Sequence, residues 1–141
     1  MSRIFLDTNF LVYSHDNGSP LKRDRARELL VRLEQTPANV TVISTQVLQE
    51  LYNILTRKLK DSPAQAKEKL LELIEVEIVG ISRAIVLAAA DLHASDAISF
   101  WDALIVAAAK SAGCDELWTE DLQDGRSFGA LKVRNPFAGM S

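Results

Sequence analysis

The chain has 141 residues, of which 48% are hydrophobic and 25% are charged, so it has the size and composition of one globular domain with a substantial core. Its net charge of −3 gives no long-range attraction for a polyanion, and its single cysteine, Cys114, excludes an internal disulfide and a cysteine metal cluster. The apolar runs are far short of the roughly 18 residues that span a membrane and the N-terminus lacks a signal-peptide pattern, so we expect a cytoplasmic protein without membrane contact.

The first strand and the first long helix are separated by an acid. Residues 3–6 (RIFL) are apolar after Arg3, which is typical of a buried strand in a parallel sheet, and this strand ends at Asp7. Residues 19–36 have apolar side chains at helical spacing, with Ser19 at the N-cap position and Pro20 at the first helical position. We therefore expect a buried strand followed by an amphipathic helix.

The middle of the chain repeats this alternation. Residues 40–44 are β-branched and predict a second strand. Leucines at helical spacing then predict a helix from Ser44 to about residues 60–63. A further helix is expected over residues 64–75, followed by a third strand over residues 76–82.

The last third contains two apolar helices and two short strands. The helices are expected over residues 83–94 and 99–113, and Gly113 is well placed to end the second one. The strands are expected over residues 115–119 and 131–135. Strands that alternate with helices predict an α/β domain with a parallel sheet, whose ligand crevice lies at the carboxyl ends of the strands.

One acid stands where the helical pattern requires an aliphatic side chain. Asp102 shares a helix face with Ile105 and Ala109, which are core residues by pattern. An isolated buried carboxylate costs several kcal/mol, so it usually has a partner, a capping role or a metal. Lys110 is one candidate partner.

Three more acids have a similar placement. Asp7 follows the first strand, Asp121 follows the fourth, and Glu50 lies on the apolar face of the helix that follows the second. Each has a structural explanation when taken alone, such as a cap, a turn or an exposed position. Taken together with Asp102, they predict an acidic cluster at the carboxyl edge of the sheet.

Carboxylates that lie within a few ångströms of one another repel, and a divalent cation removes that repulsion. Mg²⁺ and Mn²⁺ prefer oxygen ligands and leave coordination positions for water and for a substrate phosphate. Such an ion polarises a phosphoryl oxygen and activates water, so the pattern favours phosphodiester hydrolysis.

Two segments are locally basic despite the negative net charge. Residues 22–27 hold four bases and one acid, and residues 56–60 hold three further bases. The expected role of both is a solvated helix face, and the alternative is a strip that contacts phosphate.

Four segments together resemble the PIN domain family: IFLDTN (4–9), QVLQELYNIL (46–55), SFWDALIVAAA (99–109) and LWTEDL (117–122). Their order and spacing match the family across essentially the whole chain, so residues 1–141 are expected to form a single PIN-like domain. The resemblance implies an α/β fold, a three-layer α/β/α sandwich with a central parallel β-sheet.

The resemblance also implies a Mg²⁺- or Mn²⁺-dependent endoribonuclease. The acidic quartet that would bind the metal and act in catalysis is Asp7, Glu50, Asp102 and Asp121, with Asp7 as the most direct ligand. Asn9 and Thr119 match the polar residues that support the first and fourth acids. Asp124 departs from the commonest spacing of the family and is a secondary candidate.

Many small members of this family are VapC-type toxins that a cognate antitoxin protein neutralises. We therefore expect an RNA substrate, an antitoxin partner and a homodimer. The alternative is a catalytically inert PIN-fold module that binds RNA or protein.

Other sites are disfavoured by the residues present. His15 and His93 have no nucleophile in a recognisable arrangement, and no phosphate-binding glycine-rich loop occurs. Asn9 stands where a haloacid-dehalogenase-like phosphatase needs a second aspartate. Trp101 and Trp118 flank the proposed site; a core role is expected, and base stacking is the alternative.

Overall fold

The structure is a computed structural model that describes residues 2–140. The strands are β1 (Arg3–Leu6), β2 (Val40–Ser44), β3 (Glu77–Val79), β4 (Glu116–Trp118), β5 (Ser127–Phe128) and β6 (Leu131–Arg134). The helices are α1 (Thr8–Tyr13), α2 (Pro20–Gln35), α3 (Thr45–Arg57), α4 (Pro63–Leu71), α5 (Arg83–Asp96) and α6 (Phe100–Ser111).

The strands form one mainly parallel sheet, flanked by helices, in the order β3-β2-β1-β4-β6-β5. This confirms the predicted α/β class. Only β5 runs antiparallel, to β6. The connection from Phe128 to Leu131 is too short for a parallel crossover, and Gly129, at φ +62°, lies in the turn.

Two predicted elements are shorter in the structure. The helix expected over residues 64–75 runs only over Pro63–Leu71, and turns follow it. The strand expected over residues 76–82 covers only Glu77–Val79, because β3 is an edge strand that pairs only with Val42–Ser44 of β2. The chain then turns, and Ser82 caps α5 by accepting a hydrogen bond from the Ile85 N–H.

The core lies between the sheet and its helices. Every residue of α6 from Ala103 to Ala109 is buried, which explains why this helix consists largely of small and aliphatic residues. Gly113, at φ +67°, follows the end of α6 as predicted, and Cys114 is buried and free. In residues 2–140, no helix combines the length and the apolarity needed to cross a membrane.

The sheet order brings the candidate acids to one edge. Strand β1 is central, with β2 and β4 as parallel neighbours on its two sides. Leu6, its last residue, is in register with Trp118, the last residue of β4. Asp7 and Thr119, one residue further on, therefore lie side by side at the point where the strand order reverses, which is where open α/β sheets bind ligands.

Candidate functional site

A cavity of about 300 Å³ opens at this edge of the sheet, between α1, α3, the start of α6 and the segment after β4. Its lining includes all four acids of the predicted quartet: Asp7, Glu50, Asp102 and Asp121. The structure thus brings together four side chains that are up to 114 positions apart along the chain.

Asp7 is the buried acid of the pocket, with only 5% of its surface exposed. As the N-cap of α1, it accepts a hydrogen bond at Oδ1 from the Thr8 N–H (2.7 Å). Its Oδ2 accepts a second one from the Thr119 hydroxyl (2.7 Å). Asp7 therefore caps α1, as considered from the sequence, and it also lines the pocket.

Burial raises the pKa of Asp7 to about 7. The hydrogen bonds from Thr119 and Thr8 oppose this change, whereas the negative charges of Asp121 and Glu50 add to it. A carboxylate oxygen has two lone pairs, so both oxygens of Asp7 keep one acceptor direction after these hydrogen bonds.

Glu50 reaches the pocket from the middle of α3. Its Oε1 accepts a hydrogen bond from the Thr8 hydroxyl (3.2 Å), which joins α3 to the first turn of α1. Partial burial of the carboxyl group raises the pKa of Glu50, the Thr8 bond lowers it, and the charges of Asp121 and Asp102 raise it further.

Asp121 is held by its neighbours on both sides. The Asn9 amide donates to its Oδ2 (2.9 Å), and its own backbone N–H donates to the Thr119 hydroxyl (3.1 Å). Thr119 therefore bridges Asp7 and Asp121. Burial, followed by the charges of Asp102 and Glu120, raises the pKa of Asp121, and the Asn9 hydrogen bond lowers it.

Asp102 lies in the first turn of α6, where the Ser99 hydroxyl caps the helix by accepting from the Asp102 N–H (3.1 Å). In the part of the chain that the structure describes, the Asp102 carboxylate has no ion-pair partner. Lys110, the partner considered for it, lies in the last turn of the same helix. Asp102 therefore breaks the apolar pattern because it faces the acidic cavity.

Two other acids near the cluster have structural partners. Asp124 does not line the cavity, and its Oδ1 accepts from the Asn135 N–H (2.9 Å). Glu120 does line it, but its oxygens accept from the Tyr13 hydroxyl (2.6 Å) and from Lys22 Nζ (3.0 Å). These contacts give both carboxylates structural partners, although the charge of Glu120 still raises the pKa of Asp121.

Sequence reasoning missed Gln46, one helical turn before Glu50. Gln46 is buried in the lining, and its amide donates to the Trp101 carbonyl (3.3 Å). Its Oε1 and the Oδ1 of Asn9 are buried without a hydrogen-bond partner in residues 2–140. The spacing of Gln46 from Glu50, i and i+4 on one face, is the signal that identifies it.

The donor set of the pocket suits a hard cation, because all its uncommitted ligand atoms are oxygens. Within residues 2–140, however, no three His, Cys, Asp or Glu side chains already lie close enough together to hold a metal ion. Mg²⁺ sites that act on phosphates commonly use one or two carboxylates, with water and substrate completing the coordination. The residues present fit a site of that kind.

The expectation for Trp101 was wrong, since 66% of its surface is exposed. Trp118 does have the expected packing role, with its ring edge-on to Phe10 at 5.6 Å between centroids. The basic residues of segment 22–27 were expected to form a solvated helix face. Instead, each of its four bases donates a hydrogen bond within the chain, and the side chains of Lys22 and Arg23 are each only 24% exposed.

Comparison with known proteins gives a family match and several structural matches. The family model described as PIN domain matches residues 4–123. No curated protein matches the sequence. Among solved structures, VapC20 of Mycobacterium tuberculosis, described as a sarcin-ricin loop cleaving toxin, has a TM-score of 0.66 and 21% identity, over 81% of this chain and 86% of that chain.

Two further structures are similar in fold. VapBC2 of Rickettsia felis, bound to a promoter DNA fragment, has a TM-score of 0.68 and 22% identity, over 94% of this chain and 98% of that chain. A toxin-antitoxin complex from Klebsiella pneumoniae has a TM-score of 0.70 and 22% identity, over 94% of this chain and 97% of that chain. At these identities the likeness establishes a shared fold.

Proposed function

Because the chain belongs to the PIN domain family, we propose that it is a Mg²⁺- or Mn²⁺-dependent endoribonuclease and the toxin of a toxin-antitoxin pair. The observation that carries this proposal is the convergence of the four acids on one cavity at the carboxyl edge of the sheet. The similar fold of a toxin described as cleaving the sarcin-ricin loop supports an RNA substrate. The similar fold of a toxin-antitoxin complex supports an antitoxin partner.

In this proposal Asp7 contacts the metal directly, and Glu50, Asp102 and Asp121 complete the site. The bound cation supplies positive charge for the scissile phosphate and lowers the pKa of a water molecule. Thr8 and Thr119 fix the orientation of the Asp7 carboxylate by their hydrogen bonds. Asn9 does the same for Asp121.

We assign proton transfer to Glu50. Thr8 donates to its Oε1, and in this proposal its Oε2 accepts a proton from the attacking water. Its raised pKa brings its basicity closer to neutral pH, where a general base is most effective. The oxygen of that water forms a bond to phosphorus, one P–O ester bond of the RNA breaks, and the leaving oxygen takes up the proton that Glu50 accepted.

The first test is RNA cleavage by the purified chain and by Asp7→Asn. The native chain is expected to give discrete products from a mixture of tRNA, rRNA fragments and mRNA in Mn²⁺ or Mg²⁺, and none in EDTA. Asp7→Asn is expected to lose about 10²- to 10³-fold in rate, the order of loss for one strong electrostatic contact to a reacting group. Asp124→Asn, an acid outside the cavity, is the matched control.

The same pair of variants tests the toxin assignment. Expression of the native chain is expected to arrest growth of a bacterial host, and expression of Asp7→Asn is not. Cleavage that persists in Asp7→Asn would contradict the proposed site.

One observation favours the inert alternative, namely that no three potential ligands are already arranged to hold a metal in residues 2–140. An inert module would bind RNA or protein without metal-dependent turnover. Titration with Mn²⁺ monitored by calorimetry distinguishes the two. Saturable binding that Asp7→Asn abolishes supports the nuclease, and absence of binding supports the module.

We also propose that the chain forms a homodimer. Large apolar side chains are exposed on the segment from α4 to α5, including Leu71, Ile74 and Leu87. Ile74 is 80% exposed, and a second copy would remove such a side chain from water. Light scattering is expected to give twice the mass of the chain for the native protein and the mass of a monomer for Ile74→Asp. A monomeric native protein at micromolar concentration would refute the dimer.

A further inference from the structure

Glu120 is an acid of the cavity lining that the proposed reaction does not use. It lies between Thr119, whose hydroxyl donates to Asp7, and Asp121, which belongs to the quartet. A carboxylate in this position would become a further ligand of a bound cation unless other groups held it, because hard cations bind any available carboxylate oxygen. The contacts of Glu120 therefore bear on which cation the site accepts.

Two side chains hold the Glu120 carboxylate, one at each oxygen. The Tyr13 hydroxyl donates to Oε1 (2.6 Å), and Lys22 Nζ donates to Oε2 (3.0 Å). Lys22 Nζ also donates to the Tyr13 hydroxyl oxygen (3.2 Å), so the three groups form a closed triangle, which we call the Glu120 clamp. The side chains of Lys22 and Glu120 are only 24% and 23% exposed, so water and salt screen their attraction less than that of an open surface pair.

Two aromatic rings hold Lys22 in place. Its Nζ lies 4.7 Å from the centroid of the Tyr13 ring and 5.6 Å from that of the Phe137 ring, within the range of cation–π attraction. Phe137 is buried, and its ring meets the Tyr13 ring edge-on with 5.0 Å between centroids. The hydrogen bond to Glu120 raises the pKa of Lys22, so the ammonium group keeps its charge at neutral pH. Packing and charge together therefore fix the position of Lys22.

The clamp distinguishes Glu120 from the other acids of the cavity. Within residues 2–140, Glu120 is the only acid of the lining that forms an ion pair. Where carboxylates of the quartet accept hydrogen bonds, the donors are neutral groups of Thr8, Asn9 and Thr119, which leave the negative charges uncompensated. The chain thus compensates the charge of Glu120 and leaves the charges of the quartet for a cation.

We propose, on the basis of the proposed metal site, that the Glu120 clamp keeps this carboxylate out of the site and so makes the site selective for Mg²⁺ over Ca²⁺. Ca²⁺ takes about six to eight oxygen ligands, whereas Mg²⁺ keeps several waters and uses only one or two carboxylates. Release of Glu120 adds a carboxylate and a negative charge, and the extra ligand favours the ion with the larger coordination shell. Tyr13 and Lys22 are therefore positioning residues that determine which cation binds.

The test measures cation affinity apart from RNA cleavage. The native chain, Lys22→Met and the double variant Lys22→Met/Glu120→Gln are titrated with Mg²⁺ and, separately, with Ca²⁺ in a calorimeter. Lys22→Met keeps the apolar stem of the side chain and removes its charge, and the double variant also removes the charge that is thereby released. The matched control is Lys69→Met, because Lys69 forms a similarly half-buried ion pair with Asp61 (2.8 Å) outside the cavity.

Lys22→Met is expected to bind Mg²⁺ about 3- to 10-fold more tightly than the native chain, the effect of one added unit charge on a divalent ion at side-chain spacing in water. Its gain in affinity for Ca²⁺ should be at least about threefold larger than its gain for Mg²⁺, because Ca²⁺ uses the added ligand. The double variant and Lys69→Met should bind both cations within about twofold of the native chain, since neither changes the charge of the cavity.

Tyr13→Phe is a second variant that tests the clamp without removing Lys22. It keeps the ring on which Lys22 packs and loses only the hydroxyl that donates to Glu120. Its affinities should change in the same direction as those of Lys22→Met and by a smaller factor. Urea unfolding of each protein shows that it is folded before titration.

The outcomes separate this inference from the proposed function. Unchanged or weaker binding of both cations in Lys22→Met and Tyr13→Phe overturns the inference, even if the native chain cleaves RNA. An equal gain for Mg²⁺ and Ca²⁺, or a gain that persists in the double variant, overturns it as well. The expected changes together with a native chain that cleaves no RNA support the clamp and refute only the nuclease. Absence of cation binding in every protein overturns both proposals.

Discussion

Asp7 is the most constrained carboxylate of the pocket, because both of its oxygens accept hydrogen bonds from the chain while burial opposes its charge. A buried acid that repels its neighbours makes the metal-free protein less stable. The proposed cation would remove the same repulsion, so the instability of the metal-free pocket and the proposed affinity for metal would have one cause.

This instability has a pH dependence with a definite sign. Burial raises the pKa of Asp7 from its ordinary value of 3.8 to about 7. Between these values the native protein holds a proton that the unfolded chain has released, so the free energy of unfolding falls as the pH rises. A change of about three pKa units corresponds to roughly 4 kcal/mol at most. Asp7→Asn lacks this group and is expected to escape the loss.

The measurement is urea unfolding of the native chain and of Asp7→Asn, in EDTA, at pH 4.5 and pH 8. The stability of the variant relative to the native chain should increase by several kcal/mol from the lower to the higher pH. If the free energies of unfolding of the two proteins differ by the same amount at both pH values, folding does not raise the pKa of Asp7.

The sequence predicted the locations of some residues in the fold correctly and of others incorrectly. The four acids were predicted because each one departs from a local pattern, either at the end of a strand or on an apolar helix face. Trp101 was expected in the core, since it lies in an apolar helix. Its exposure depends on the packing of α6 against its neighbours, which no local pattern encodes.

At the level of the elements, helix caps connect stability to the site. Ser99 caps α6 through the N–H of Asp102, so it fixes the first turn that carries this acid. Ser62 caps α4 in the same way, through the Gln65 N–H, but α4 contributes no residue to the cavity. The two serines therefore form a matched pair.

Replacement of either serine by alanine is expected to lower the free energy of unfolding by about 1 kcal/mol. Of the two, only Ser99→Ala is expected to reduce RNA cleavage as well, because α6 holds a carboxylate of the quartet and α4 holds none. Urea unfolding and initial cleavage rates check this. An equal loss of activity in Ser62→Ala would mean that global stability, and not the position of Asp102, limits the reaction.

The elements that sequence analysis placed best are those with a long periodic pattern, such as α3 and α6. Their apolar faces follow helical spacing over three turns or more. The two-residue strand β5 was not predicted, because so short a segment has no periodicity and forms only by pairing with β6. The early end of α4 was missed for a similar reason, since residues 72–75 still have helical propensity but form turns.

For the whole molecule, the proposed metal binding would couple the site to global stability. A ligand that binds only the native state stabilises it by about 2.7 kcal/mol at one hundred times its dissociation constant. For a chain of 141 residues this corresponds to a rise in Tm of about 10 °C. Mn²⁺ is expected to produce such a rise in the native chain and in Asp124→Asn.

In Asp7→Asn the same concentration of Mn²⁺ should raise Tm much less, since the most buried carboxylate is gone. Differential scanning calorimetry of the three proteins, with and without Mn²⁺, makes this comparison. A native Tm that does not respond to millimolar Mn²⁺ would contradict the proposed metal site.

The sequence by itself determined the α/β class and the acidic edge of the sheet. Alternating strands and helices force parallel crossovers, and parallel crossovers bring every residue that follows a strand to one side. Asp7, Asp121 and the start of α3 therefore had to lie on that edge, and the order of the strands decided how close to one another they lie.

Only the tertiary structure decided which side chains surround these acids. The order β3-β2-β1-β4-β6-β5 makes Thr119 a direct hydrogen-bond partner of Asp7, and the packing of α1 against α3 turns a helix face into a wall of the cavity. Such contacts join residues far apart in the chain, and their energies depend on burial and distance that exist only after folding. Local patterns therefore located the acids, and the packing of distant elements formed the cavity around them.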